Sequence, residues 1–156
     1  MSHRDVERAW VTRFLDDLRA AETAGAEVFA AWVGACRLEG LRGGLRAIAE
    51  REAAHAELLA ERLREMGEPC AALVDDGIRV EALERFGSED VSDEEKLRLV
   101  LLRYPDDESA SHPITRVLEQ LDHDLETREI LRLVADGEGA TVAWLRAYQA
   151  GLARRS

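Results

Sequence analysis

Apolar residues recur every three or four positions along several stretches of this chain, which predicts helices that each bury one face. The first helix runs from about Arg4 to the mid-thirties, with Trp10, Phe14, Leu18, Gly25, Phe29 and Trp32 on one side. Gly34, Gly40, Gly43 and Gly44 mark a break after it. The second helix holds "AIAEREAAHAELLAERL", residues 47–63, and Gly67 and Pro69 stop it. Residues 70–92 are less regular, with a short helix predicted over "RVEALERF". In "VSDEEKLRLVLLRY", Ser92 followed by Glu95 is a capping signal for a short third helix that Pro105 ends. An acidic loop, "PDDESASHP", and a brief helical "ITRVLEQL" follow. The last long helix spans "DHDLETREILRLVADGEGATVAWLRAYQAGL", with Asp122 to Asp124 as capping candidates and Glu126 in the first turn. Together these predict an all-α fold, a single domain over residues 1–156, arranged as an antiparallel four-helix bundle with a short or interrupted third helix.

Composition sharpens that picture. Hydrophobic residues make up 46% of the chain and charged residues 34%, while aromatics are only 5%. Such a balance favours helix over sheet. The net charge of −11 argues against a nucleic-acid or anionic-membrane partner and suits the gathering of cations. Cys36 and Cys70 are 34 residues apart and have no CxxC spacing, so they predict reduced thiols rather than a disulfide framework or thiolate zinc site. "MSHRDVERAW" is charged and lacks the apolar core of a signal peptide, and no run approaches the ~20 apolar residues of a membrane span. A soluble, cytoplasmic chain is the expectation.

Polar residues interrupt three of the apolar stripes. The second helix reads Leu45, Ile48, Glu52, His55, Leu59 and Leu63 along one face. The first reads Leu18, Glu22, Gly25, Phe29 and Trp32, and the last reads Leu131, Val134, Glu138, Thr141, Leu145 and Tyr148. Glu27, Glu50, Glu57 and Glu129 fall off the stripes and read as solvated charges. A carboxylate carried into a core must be paired, metal-bound or neutralised, because desolvating it alone is expensive. Glu22 and Glu52 are level in an antiparallel hairpin whose turn centres near Arg37, roughly 20 Å from that turn at 1.5 Å per residue. Glu22, Glu52, His55 and Glu138 are therefore the candidate metal ligands. Carboxylates with an imidazole suit iron, manganese or zinc.

These residues resemble the first half of a ferritin-like or rubrerythrin-like diiron-carboxylate protein: Glu22 followed by "TAGAEVF", then Glu52-x-x-His55 within "EREAAH". The resemblance implies a glutamate from each of two helices and a Glu-x-x-His pair from each of the other two. It assigns Glu138 to the glutamate position of the fourth helix. There the pattern departs, because Glu138 is followed by Gly-Ala-Thr141 and the second histidine is missing. The third helix offers no obvious glutamate. Asp106, Asp107, Glu108 and His112 of the acidic loop, and Glu94 in the row Glu94, Leu97, Leu101, Tyr104, are the weaker candidates to complete the site.

The resemblance implies one or two irons, with manganese as a substitute, or no metal where the site has degenerated. Two irons would imply oxidation chemistry with dioxygen or peroxide; the motif loss favours a degenerate single-metal site over a full oxidase. Hydrolytic zinc chemistry lacks the His-x-x-x-His pairing that would recommend it. The alternative is a metal-free bundle serving dimerisation or protein interaction, its acids hydrogen-bonded to one another and to Thr141. Trp10, Trp32 and Trp144 read as core or homodimer packing, and His3 and His123 as solvent-facing. Glu52 and His55 at i and i+3 would, on a helix surface, be worth only a few tenths of a kcal/mol as an ion pair. Stripe position argues for the interior.

Overall fold

Two long helices joined by three residues frame the structure, a computed structural model that describes residues 1–156. Helices α1 (His3–Ala35) and α2 (Glu39–Glu65) pack along each other as a hairpin. The chain then breaks into three short helices, α3 (Asp76–Phe86), α4 (Asp93–Leu102) and α5 (His112–Leu118). A long α6 (Leu125–Arg155) closes it against α2, α4 and α5, while α3 rests on α1. There is no strand, and no helix is long and apolar enough to cross a membrane.

The helix ends follow local chemistry. Ser2 and Asp5 form a reciprocal capping box at α1, Ser92 accepts from the Glu95 amide, and Asp124 accepts from the Thr127 amide. Gly67, at φ +74°, supplies the left-handed residue that ends α2. The α1–α2 break is only Cys36–Leu38, centred on Arg37, so Gly40, Gly43 and Gly44 lie inside α2 rather than marking its start. Gly40 and Gly44 serve a close helix crossing: a Cβ on Gly44 would collide with the Trp144 ring, and one on Gly40 would come within 3.2 Å of Tyr148 Oη, whereas Gly43 faces open space.

Two buried carboxylates tie distant segments together. Asp93 accepts from Trp32 Nε1 at 3.0 Å and from the Arg37 and Leu38 amides at 2.9 and 3.3 Å, fastening α4 to the hairpin turn. Glu7 accepts from the amides of His123 at 2.9 Å, Asp124 at 3.2 Å and Asp122 at 3.3 Å, anchoring α1 to the start of α6. Burial alone would push both carboxyls up, but the donors prevail and hold them below the usual range.

The apolar core is divided. One group joins Val11, Leu15, Leu59, Leu63, Leu131 and Val134. The other joins Trp32, Leu41, Leu45, Ile48, Val142 and Leu145 around the hairpin turn. On each long helix the residues between these groups include Glu22, Glu52 with His55, or Glu138.

Removing the Asp93 carboxylate leaves an indole and two amides without an acceptor. Asp93→Ala should therefore cost about 3 kcal/mol in urea unfolding. A loss below about 1 kcal/mol would show that the turn is held by packing instead.

Candidate metal centre

Glu22 lies on α1, Glu52 and His55 one turn apart on α2, and Glu138 on α6. Glu22 and Glu52 are only 3% and 6% exposed, which is extreme for carboxylates. His55 Nδ1 stands 3.8 Å from Glu22 Oε2 and 4.0 Å from Glu138 Oε1. One ligand atom from each of Glu22, His55 and Glu138 falls within 4.8 Å of the others. Glu52 is outside that trio but beside it, close enough to raise the proton affinity of Glu22 and to have its own raised by Glu138.

Two glycines make room for the site. A Cβ on Gly25, one turn beyond Glu22, would collide with the Glu52 carboxylate. On α6, a Cβ at Gly137 would stand 2.5 Å from His55 Cε1 and 3.0 Å from Nε2. The glycines that interrupt these apolar helices are thus spaces for the polar side chains opposite. Gly139 is different: its nearest neighbour would be the Asp107 carbonyl at 3.8 Å.

The electrostatics are those of charges held out of water. Burial, chiefly, raises Glu22 to about 7, Glu52 to about 8 and Glu138 to about 9, and mutual repulsion among the acids adds to it. Glu22 and Glu138 approach closely enough to share a proton, which favours the acid form of Glu138. Burial lowers His55, assisted by Arg51 and opposed by Glu138, so its imidazole is neutral near pH 7 and its lone pair is open to a ligand. Glu22 Oε2 and His55 Nδ1 are both buried without a hydrogen-bond partner. Such orphans are rare in a folded interior and call for a missing partner.

Arg51, invisible to the stripe, also belongs here. Its guanidinium hydrogen-bonds Thr141 Oγ1 on α6, its Nε has no partner, and its charge lowers the proton affinity of all three glutamates. Tyr104, at the end of α4, is near enough for the three acids to add to the burial that raises its hydroxyl. The remaining acidic candidates lie elsewhere. Asp106, Asp107, Glu108, His112 and Glu94 are exposed; Asp106 caps its own turn and Asp107 pairs with Arg146.

A cavity of about 830 Å³ reaches the cluster from the side of α3 and α4, with Glu22, Glu52 and Glu138 among its lining residues. No protein-family model, curated protein or solved structure matches the chain.

Two outcomes follow from this geometry. Gly139→Ala should gain up to about 1 kcal/mol from helix propensity, whereas at Gly25 and Gly137 the collision cancels that gain. Equal stabilisation at all three positions, measured by chemical unfolding, would contradict the assigned spaces. In chelator-treated protein the raised carboxyls keep protons that the unfolded chain has released. Their stabilising contribution is therefore full below about pH 4.5 and lost as pH rises through 7 to 9. The melting temperature should fall between pH 6 and 9, and Glu52→Gln, which cannot ionise, should flatten the fall. A flat profile in the unaltered chain would contradict the burial of these charges.

Proposed function

We propose that the protein is a ferritin-like metal-binding helical bundle holding one divalent iron or manganese ion through Glu22, His55 and Glu138, with Glu52 beside them. In this reading α1, α2 and α6 supply three members of an antiparallel four-helix layout, and the short helices between α2 and α6 supply a broken third.

The observation that carries the reading is the pair of orphaned atoms, Glu22 Oε2 and His55 Nδ1, facing each other at 3.8 Å. That separation is too long for a hydrogen bond. It matches two donors sharing an ion, since ligands about 2.1 Å from one metal lie roughly 3 to 4.2 Å apart. The set of carboxylate oxygens and one neutral imidazole suits hard-to-borderline cations.

Three donors serve one ion. In the ferritin-like resemblance Thr141 stands where a second histidine would be, and the Arg51 guanidinium bonded to it brings positive charge where a second cation would have to sit. An iron or manganese ion held here would supply one-electron chemistry toward dioxygen or peroxide. The chain's own contribution is to orient the carboxylates, keep His55 neutral, and present Tyr104 nearby.

Arg51 also favours a second reading. Its guanidinium, together with protons on the acids, would balance the cluster in a metal-free bundle whose role is interaction with a copy or another protein. The readings separate on one experiment. Protein purified without chelator or a histidine tag should carry about one equivalent of iron or manganese per chain, and Glu22→Gln and His55→Ala should each weaken it more than tenfold while circular dichroism stays unchanged. Arg51→Leu, by removing a like charge, should tighten manganese binding. Absence of bound metal, with Arg51→Leu unfolding the chain, would establish the metal-free network instead.

A further inference from the structure

The stretch between α2 and α4 is fastened firmly at two points and loosely between them. At the first point Asp16 Oδ2, on α1, accepts from the amides of Ala71 at 3.0 Å and Ala72 at 2.8 Å. Arg19 Nη2 donates to the Ala72 carbonyl at 2.8 Å. At the second point the Phe86 ring packs on Trp32, with centroids 5.4 Å apart, and Lys96 Nζ donates to the Ser88 carbonyl at 2.7 Å. Trp32 and Lys96 are both fully buried, so this end is part of the rigid frame.

Most of α3 lies between those points, and none of its side chains is buried. Leu73, Ile78 and Val80 are 91%, 66% and 40% exposed. A helix of eleven residues is marginal in water by itself, so it depends on packing, and α3 has little. It rests on α1, where two guanidinium nitrogens of Arg79 donate to Glu27 Oε2, Nε at 3.0 Å. The other ion pairs of the segment, Arg79 with Asp76 and Arg85 with Glu81, stay inside α3. Arg79 and Glu27 are each more than a third exposed, so solvent screening limits their pair to a fewfold effect on an opening equilibrium.

This loosely held helix is also a wall of the cavity of about 830 Å³. Ile78, Arg79 and Ala82 line that cavity together with Glu22, Glu52 and Glu138. Segments with few buried contacts open at a lower free energy than the structure around them. Both core groups are built without a buried residue from α3, so its departure leaves them intact. The fixed ends at Ala72 and Phe86 confine the movement to residues 73–85.

We propose that residues 73–85 form a lid, hinged at Ala72 and Phe86, which lifts from α1 when the Arg79–Glu27 pair parts and opens the cavity to solutes from water. The lid needs no metal. Only its consequence for ion exchange at Glu22, His55 and Glu138 rests on the function proposed above.

Hydrogen exchange of the full chelator-treated chain, read by mass spectrometry or NMR, tests the hinge. Amides of α3 should exchange at least tenfold faster than those of α2 and α6, while the Ala71 and Ala72 amides remain protected. Arg79→Gln, at an exposed position outside the cores, should speed exchange in α3 about threefold and leave the long helices unchanged. Salt at 0.5 M should do the same to the unaltered chain and have little further effect on Arg79→Gln. Access to the cavity has its own readout. A Val28→Cys thiol in a Cys70→Ser background should react with a thiol reagent faster by the same threefold when Arg79→Gln is added. Manganese loaded into the protein should be extracted by chelator faster by that factor too. Failure to load manganese counts against the ion site alone, since exchange and thiol labelling still judge the lid. Exchange of α3 only through global unfolding would overturn the proposal, as would equally fast exchange at Ala71 and Ala72. Rates in α3 unmoved by Arg79→Gln, or faster exchange there with unchanged labelling at Val28→Cys, would overturn it too.

Discussion

Three carboxyl groups and an imidazole confined between two apolar layers set the terms for the rest of this molecule. Each of Glu22, Glu52 and Glu138 would rather ionise in water, and in the bundle each is deprived of water and placed near the others. The chain answers with protons and with one guanidinium, that of Arg51. Neither answer reaches Glu22 Oε2 or His55 Nδ1, which remain without partners. In the function proposed above, a cation between them would resolve both orphans at once and would exchange for the protons that the acids otherwise retain.

The surrounding structure is arranged to keep that cluster in place. Leu59, Leu131 and Val134 pack on one side of it and Trp32, Ile48 and Val142 on the other. Gly25 and Gly137 sacrifice helix propensity so that Glu52 and His55 fit. Asp93 and Glu7 fasten the two ends of the helical frame through buried hydrogen bonds to backbone amides. The cost of holding polar groups inside is thus met by stable packing above and below them, as expected of a site rather than of an incidental charge.

Much of this was legible in the sequence, for a physical reason. A 3.6-residue period exposes any polar residue on a buried stripe, and Glu22, Glu52, His55 and Glu138 all stood on one. A turn centred near Arg37 was the condition for Glu22 and Glu52 to be level, and the break at Cys36–Leu38 meets it. The glycines misled, because a packing glycine and a helix-breaking glycine look alike until the opposite side chain is known; Gly44 beneath Trp144 is the example. Arg51 escaped notice because it lies beside the stripe and reaches Thr141, 90 residues on, only through its long side chain. Glu7 and Asp93 escaped because their partners are backbone amides of remote segments, which leave no periodic trace. The stretch from α3 to α5 is too short in each helix for a period to fix which side faces inward, so the cavity it walls was not readable either.

Anomalous diffraction from crystals containing manganese(II) tests the central claim most directly. The account predicts one peak roughly 2.0–2.3 Å from a carboxylate oxygen of Glu22, a carboxylate oxygen of Glu138 and a ring nitrogen of His55. No peak at that point, or peaks only among the exposed acids of residues 106–108, would contradict it.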